Sequence, residues 1–205
     1  MREVSALFGK IAGFYCENGN VEKVNEYFEL MRKYLLDIRH KGAMEMQYEA
    51  LLDLCEKVHN SSDDKIRQLP KVWLEGTLET LRGNPDWIQK LCSTRRSAGL
   101  PLLVNAILQS TVRKYYSTGK RSDGRKTSLI EYGLEELMKY AKDNDDVTKM
   151  HCMNTLRWIF KDSKMGETTN PMAGQGFIVS LENTKSNDWS VRTSSTLFFA
   201  ALARR

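Results

Sequence analysis

Apolar residues recur every three or four positions along most of the chain, which is the spacing of one buried stripe on an α-helix. The stripe is clear in four segments, at residues 21–38, 44–58, 129–141 and 147–160. Tyr34 and Val147 belong to these stripes and are expected to face the core. No segment alternates apolar and polar residues between hairpin turns, as a half-buried strand would. The pattern therefore predicts an all-α protein.

Polar breaks rich in Gly, Asn, Asp and Ser separate the apolar segments, for example at residues 17–20, 61–65 and 82–86. They leave about nine helices of roughly 12 to 20 residues, joined mostly by short turns, as in stacked antiparallel helices. HEAT and armadillo repeats are helical units of about 40 to 47 residues. The spacing thus predicts a HEAT/armadillo-like α-solenoid.

The last helical segment carries features of a HEAT helix. Asp188 is a plausible N-cap, Trp189 falls in the first turn, and Ser194 and Ser195 are small enough for close helix packing. Arg192 is expected to bond an acid or a carbonyl of a neighbouring repeat. The chain stops in an amphipathic helix without the polar outer face of an end repeat. We therefore expect residues 1–205 to form a single solenoid segment of a much larger scaffold.

Composition narrows the class of partner. The 205 residues carry 31 basic and 26 acidic side chains, a net charge of +5 and a pI near 9.0, which gives a mild preference for anionic partners such as RNA. Ordinary surface charge is the alternative. The four cysteines are far apart and form no CxxC motif, so buried reduced thiols in the cytoplasm are expected. The apolar runs are too short to span a bilayer.

The usual catalytic motifs are missing from the sequence. It contains no P-loop, no HExxH and no GxSxG, and the GQG at residues 174–176 follows no strand, which favours a packing role. His40 is interpreted as a residue at the end of a helix, where it favours the helix dipole, and His151 as a core residue. We expect no catalysis, no metal and no cofactor in this chain.

A basic segment with interleaved tyrosines is the first candidate binding surface. Such a combination can hold phosphates and stack on unpaired bases. A mobile, solvated loop is the alternative, because residues 117–126 have the composition of a disordered segment. The basic residues are Arg113, Lys114, Lys120, Arg121, Arg125 and Lys126, with Tyr115 and Tyr116 among them.

The second candidate is the stretch STRRSAGLP at residues 93–101. A cap at Ser93 or Thr94 would place Arg95 and Arg96 in the first turn of a helix, which is the unfavourable end for cations. Their guanidinium groups therefore suit bidentate binding of phosphate, or of a carboxylate in a buried clamp between repeats. The next three residues, Ser97, Ala98 and Gly99, are small and allow a close backbone approach. Leu100 and Pro101 follow, and a proline within a helix would kink it.

Several ordered motifs resemble the thyroid adenoma-associated protein family, which includes the non-catalytic subunit of a yeast tRNA ribose methyltransferase. RRSAGLP is its signature, and the segments RHKGAMEMQYEALLDLC, LPKVWLEGTLETL, HCMNTLRWIFKDSKMGE and WSVRTSSTLFFAAL resemble others. The resemblance covers almost the whole chain. Its motif positions fall on Arg95 to Pro101, Asn154, Arg157, Asp162, Trp189 and Arg192, with Thr193 where the family often has Asn.

The resemblance implies an auxiliary role. An FtsJ-like methyltransferase partner would bind S-adenosylmethionine and methylate a ribose 2′-hydroxyl in the tRNA anticodon loop, and this protein would position the tRNA anticodon stem-loop. Arg95 and Arg96 are then expected to contact RNA or to shape the surface that does. Arg157 and Asp162 are expected to form a structural pair.

Two other functions remain open. One is a protein-interaction solenoid without RNA contact, such as a regulator of a membrane calcium pump or of metabolism, as is suspected of animal relatives. The other is a karyopherin-like transport solenoid, which fits the fold but has no supporting motif.

Overall fold

The computed structural model describes residues 2–83, 99–118, 124–143 and 145–204. For the helical residues 2–6, 8, 83, 113–118, 124–128 and 143, the description covers the backbone alone. Within these ranges the chain is helical and contains no strand. The all-α prediction is therefore confirmed.

Nine long helices make up the described fold, in agreement with the predicted number. They are α1 (Arg2–Glu17), α2 (Val21–Asp37), α3 (Lys41–Asn60), α4 (Asp64–Gly83), α5 (Gly99–Thr118), α6 (Gly124–Asp143), α7 (Asp146–Lys161), α9 (Ala173–Asn183) and α10 (Trp189–Leu202). The four-residue helix α8 (Gly166–Thr169), flanked by the 3₁₀ turns Ser163–Met165 and Asn170–Met172, connects α7 to α9.

The ends of the helices follow the local chemistry of the turns. Gly19 takes a positive φ of 66°, which glycine adopts without steric cost, and Asn20 then caps α2 by accepting a hydrogen bond from the Lys23 amide at 3.0 Å. Asp188 caps α10 through the amides of Ser190 and Val191 at 2.7 and 3.0 Å, as predicted.

His40 also caps a helix, contrary to the sequence interpretation. Its Nδ1 accepts a hydrogen bond from the Ala43 amide at 3.3 Å at the start of α3, whereas α2 already ends at Asp37. The prediction that His40 lies at a helix end where it favours the dipole is therefore wrong, because His40 precedes a helix instead of ending one. The lone pair of the ring nitrogen satisfies an amide that has no partner within the helix.

The predicted apolar stripes build a continuous core. In α2 the stripe is Val24, Phe28, Met31 and Leu35, all at most 2% exposed. Two predicted members of the stripes face outwards instead, since Tyr34 is 50% and Val147 43% exposed. Both lie at the margin of an apolar stripe, where the helical period alone does not determine whether a side chain faces the core or the solvent.

Helix α5 lies at the centre of the described fold. All of its residues from 99 to 112 are buried, and it packs against α2, α3, α4, α6 and α7. Across the fold, each long helix packs mainly against helices one to three positions away in the chain. This near-neighbour order is that of an α-solenoid, which confirms the predicted fold class. Among the described helices, none is long and apolar enough to cross a membrane.

Candidate nucleic-acid interface

Gly99, within the RRSAGLP stretch, meets the C-terminal end of α2. A Cβ placed on Gly99 would lie 2.1 Å from the carbonyl oxygen of Leu35 and 3.2 Å from Cα of Leu36. A side chain cannot fit at such distances, so only glycine permits this approach of the two backbones. The predicted close backbone contact at the small-residue segment is therefore present at Gly99.

The two residues after Gly99 are buried. Leu100 is 0% exposed, and Pro101 also lies in the core. Pro101 is the third residue of α5 as it is described, and the first turn is where a helix tolerates proline. This end of the motif therefore has a packing role.

Two basic residues follow the end of α2 that Gly99 approaches. Arg39 and Lys41 are exposed in and after the turn that joins α2 to α3. Arg39 Nη1 donates to the carbonyl oxygen of Leu36 at 2.7 Å, and Leu36 directly follows Leu35, whose carbonyl oxygen Gly99 approaches. The RHKG segment and the end of RRSAGLP are thus neighbours in space, although about 60 residues separate them in sequence.

A buried hydrogen-bond network joins α3, α5 and the end of α7. The Tyr48 hydroxyl donates to Gln109 Oε1 at 2.9 Å and accepts from Asn105 Nδ2 at 3.0 Å. Both amides also donate to Asp162 Oδ2, Asn105 at 3.2 Å and Gln109 at 2.8 Å. Asp162 Oδ1 accepts from the backbone amide of Lys164 at 3.0 Å. The network fixes the position of α5 against two neighbouring helices.

Three of these network residues were missed by the sequence analysis. Asn105 and Gln109 are only 1% and 3% exposed and lie four residues apart in an otherwise apolar helix. That spacing places both amides on one face and could have indicated a buried polar contact. Tyr48 was assigned to the apolar stripe alone. Asp162 was selected, but as the partner of Arg157, and that pair stays a prediction.

The other residues of the predicted structural motif lie in α7 and α10. Asn154 is buried, at 4% exposure, whereas Trp189 is 71% exposed. Arg192 Nη1 donates to the carbonyl oxygens of Ser186 and Asn187, both at 2.8 Å. Arg192 therefore bonds carbonyl groups, as expected, but in the turn before its own helix instead of in a neighbouring repeat.

Small residues lie on the buried face of α10 and in α9, which packs against it. Ser194 and Ser195 are buried, at 3% and 0% exposure, as their predicted packing role requires. Gly176 in α9 has the same role, since a Cβ there would lie 3.1 Å from the ring of Phe198. The GQG segment thus provides close packing at its second glycine.

Buried ionisable groups are held in their neutral forms. Burial lowers the pKa of His151 from 6.5 to about 4, although Asp145 opposes the shift. Burial likewise raises the pKa of the Cys16 thiol to about 11, and it raises the pKa values of Cys55 and Cys152. These three cysteines are free and buried, as expected for reduced structural thiols.

Much of the predicted binding surface lies outside the described residues. This applies to Arg95, Arg96, Ser97, Ala98, Lys120 and Arg121. Arg113 and Lys114 belong to α5, and Arg125 and Lys126 to α6, but their side chains are also outside the description. Their contacts with RNA therefore stay predictions.

Comparison with known proteins gives a family match over most of the chain. A family model described as THADA/TRM732, DUF2428 matches residues 1–190. A mouse protein named tRNA (32-2′-O)-methyltransferase regulator THADA is 34% identical over 218 residues, covering 100% of this chain and 11% of its own length. The human protein of that name is 35% identical over 189 residues, covering 90% of this chain and 9% of its own length.

More distant relatives extend the match. A fission-yeast protein, tRNA (32-2′-O)-methyltransferase regulator trm732, is 28% identical over 211 residues, covering 98% of this chain and 13% of its own length. The chain therefore spans about a tenth of the length of these relatives. Among solved structures, a designed armadillo repeat protein aligns with 98% of this chain and 92% of its own, at a TM-score of 0.32 and 13% identity.

Proposed function

The chain belongs to the THADA/TRM732 family, and from that membership we propose that it is part of a non-catalytic regulator of tRNA ribose methylation. The observation that carries the proposal is the match over residues 1–190 to relatives named as regulators of tRNA (32-2′-O)-methyltransferase. The catalytic residues and S-adenosylmethionine then belong to a cytoplasmic FtsJ-like partner enzyme. This chain contributes a rigid surface that orients the tRNA anticodon stem-loop.

The packing of α5 supports such a positioning role. Gly99 contacts the end of α2, and the Tyr48 network holds α5 against α3 and the turn after α7. Orientation of a substrate by a rigid surface can supply a large part of the acceleration of a reaction without any bond-making group. In this proposal Arg95 and Arg96, just before Gly99 in sequence, bind phosphate groups of the RNA.

The experiment replaces both arginines in the full-length protein, as Arg95→Ala with Arg96→Ala. We expect tRNA ribose methylation by the partner enzyme to fall because two phosphate ligands are lost, while the protein remains folded. Lys33→Ala with Lys65→Ala is the matched control, since both lysines are exposed on other helices and the change in charge is the same. Unchanged methylation by a folded arginine variant would reject the assignment of the motif.

Salt dependence separates RNA contact from a clamp between repeats. Each phosphate contact contributes about 0.7 to 0.9 to the slope of log affinity against log salt. Loss of two contacts therefore lowers the slope by about 1.4 to 1.8. Reduced methylation with an unchanged slope and lower thermal stability would instead identify a buried clamp.

A second candidate function is a solenoid that binds only protein. Ile178 and Leu181 lie three residues apart on α9 and are 55% and 52% exposed, so one face of this helix offers apolar side chains to a partner. Under this alternative, affinity purification recovers the partner protein, but loss of the full-length protein leaves tRNA methylation unchanged.

A further inference from the structure

A cavity of about 550 Å³ opens between the C-terminal ends of α7 and α10. Its floor is apolar and comes from both helices. Phe160 and Phe198 support it, with ring centroids 5.5 Å apart in an edge-to-face arrangement. Eight residues line the cavity, among them Arg157, Phe160, Lys161, Ser163, Leu197 and Arg204.

The polar part of this lining is cationic. Arg157, Lys161 and Arg204 contribute positive charge, Ser163 contributes a hydroxyl group, and none of the eight lining residues is acidic. Lys161 and Arg204 are exposed, and neither forms a salt bridge within the part of the chain that the structure describes. The Arg204 guanidinium group and the Lys161 ammonium group at one opening provide donors of the kind that phosphate oxygens require.

An exposed indole ring lies beside this opening. Trp158 precedes Lys161 by three residues on α7, so the two side chains are neighbours on the helix surface, and Trp158 is 40% exposed. A large aromatic ring next to cations suits an unpaired base followed by its phosphate. An acidic peptide would need the cations but not the aromatic ring, so the combination favours RNA over such a peptide.

We propose that this cavity, which we call the α7–α10 cleft, binds the phosphodiester backbone of RNA. Lys161 and Arg204 contact phosphate oxygens, and Trp158 stacks on an adjacent base. The inference rests on the proposed function and adds a second RNA contact to it, formed by other helices than the junction of α2 with α5.

If Lys161 and Arg204 had only a structural role, a different result would be expected. Lys161 is the last residue of α7 and Arg204 follows the end of α10, where positive charge stabilises a helix dipole. In that role, their neutralisation lowers the thermal stability and leaves RNA affinity unchanged. Stability and RNA binding are therefore measured on the same variants.

The test measures binding of a tRNA anticodon stem-loop to the full-length protein by fluorescence anisotropy across a series of salt concentrations. The variant is Lys161→Gln with Arg204→Gln, and the matched control is Lys33→Gln with Lys65→Gln, which alters net charge equally on exposed positions of α2 and α4. We expect the slope of log affinity against log salt to fall by about 1.4 to 1.8 in the cleft variant and to stay unchanged in the control.

Two outcomes would overturn the proposal. Equal losses in the cleft variant and the control would show general attraction by net charge. An unchanged slope in the cleft variant would show that these residues do not touch phosphate. If that variant binds normally while Arg95→Ala with Arg96→Ala still lowers methylation, the cleft proposal fails and the proposed function stands.

A lysine-labelling experiment gives an independent readout. An amine-reactive reagent should modify Lys161 in the free full-length protein, because this side chain is exposed, and the stem-loop should protect it. Lys33 serves as the internal reference, whose labelling RNA should not alter. Labelling of Lys161 that is unaffected by saturating RNA would contradict the proposal.

Discussion

Gly99 shows how one residue can determine the geometry of a segment, here the start of α5. The carbonyl oxygen of Leu35 occupies the space into which any Cβ at this position would extend. The backbone of α5 can therefore approach α2 more closely than a pair of ordinary helical residues allows. The RRSAGLP motif thus combines two arginines with a glycine whose role is packing.

Replacement of Gly99 by alanine should destabilise the fold. The added methyl group overlaps the Leu35 carbonyl, and the required shift of backbone should lower the free energy of unfolding by about 1–3 kcal/mol. Chemical denaturation of the chain measures the change. Gly76→Ala is the control, because no atom lies within 4 Å of a Cβ there and alanine in a helix should stabilise by about 0.5–1 kcal/mol. Equal effects of the two substitutions would disprove the close approach.

His151 should make stability depend on pH. Its pKa is lowered from 6.5 to about 4 by burial, so between these values the unfolded chain binds a proton that the folded chain does not. The free energy of unfolding should therefore decrease as pH falls through this window, by roughly 3 kcal/mol in total. Between pH 7 and pH 4, the free energy of unfolding of the wild type should fall by this amount relative to that of His151→Gln. A constant difference between them from pH 7 to pH 4 would contradict the buried neutral state.

At the scale of elements, α5 depends on polar contacts as well as on apolar packing. Tyr48, Asn105, Gln109 and Asp162 connect three helical elements through hydrogen bonds of 2.8 to 3.2 Å. A fully apolar interface would allow α5 to slide, whereas directional bonds define its register. This register also fixes the start of α5, at the end of the RRSAGLP motif.

The loss of the Tyr48 hydroxyl should weaken this network measurably. In Tyr48→Phe both Gln109 Oε1 and Asn105 Nδ2 lose a partner in a buried site, and we expect a loss of about 1–3 kcal/mol in the free energy of unfolding. Tyr34→Phe is the control, because Tyr34 is 50% exposed on α2. A Tyr48→Phe variant as stable as its control would show that the network contributes little to stability.

The sequence predicted the helices better than it predicted the contacts between them. The apolar stripe of α2 is a local property, and its period alone placed Phe28 and Leu35 in the core. The bonds of Tyr48 to Asn105 and Gln109 span 57 and 61 residues, and no local pattern specifies such pairs. His40 was misassigned because it lies in the short turn between α2 and α3. The sequence does not show whether a residue in such a turn caps the helix before it or the helix after it.

At the scale of the whole molecule, the fold presents basic groups at separate places on a solenoid. Arg39 and Lys41 lie near the junction of α2 with α5, and Lys161 and Arg204 lie at the α7–α10 cleft. A net charge of +5 favours encounter with a polyanion, but the specificity of RNA positioning requires defined contacts. The proposed regulator therefore acts through the arrangement of its cations on a rigid helical surface.

The most direct test of the proposed function is the level of tRNA ribose 2′-O-methylation at position 32, the position named in the relatives, in cells with and without the full-length protein. We predict that the modification is lost without the protein and restored by the wild type, while the abundance of the methyltransferase stays constant. Methylation that persists at the normal level in cells lacking the protein would contradict its role as a regulator of this reaction.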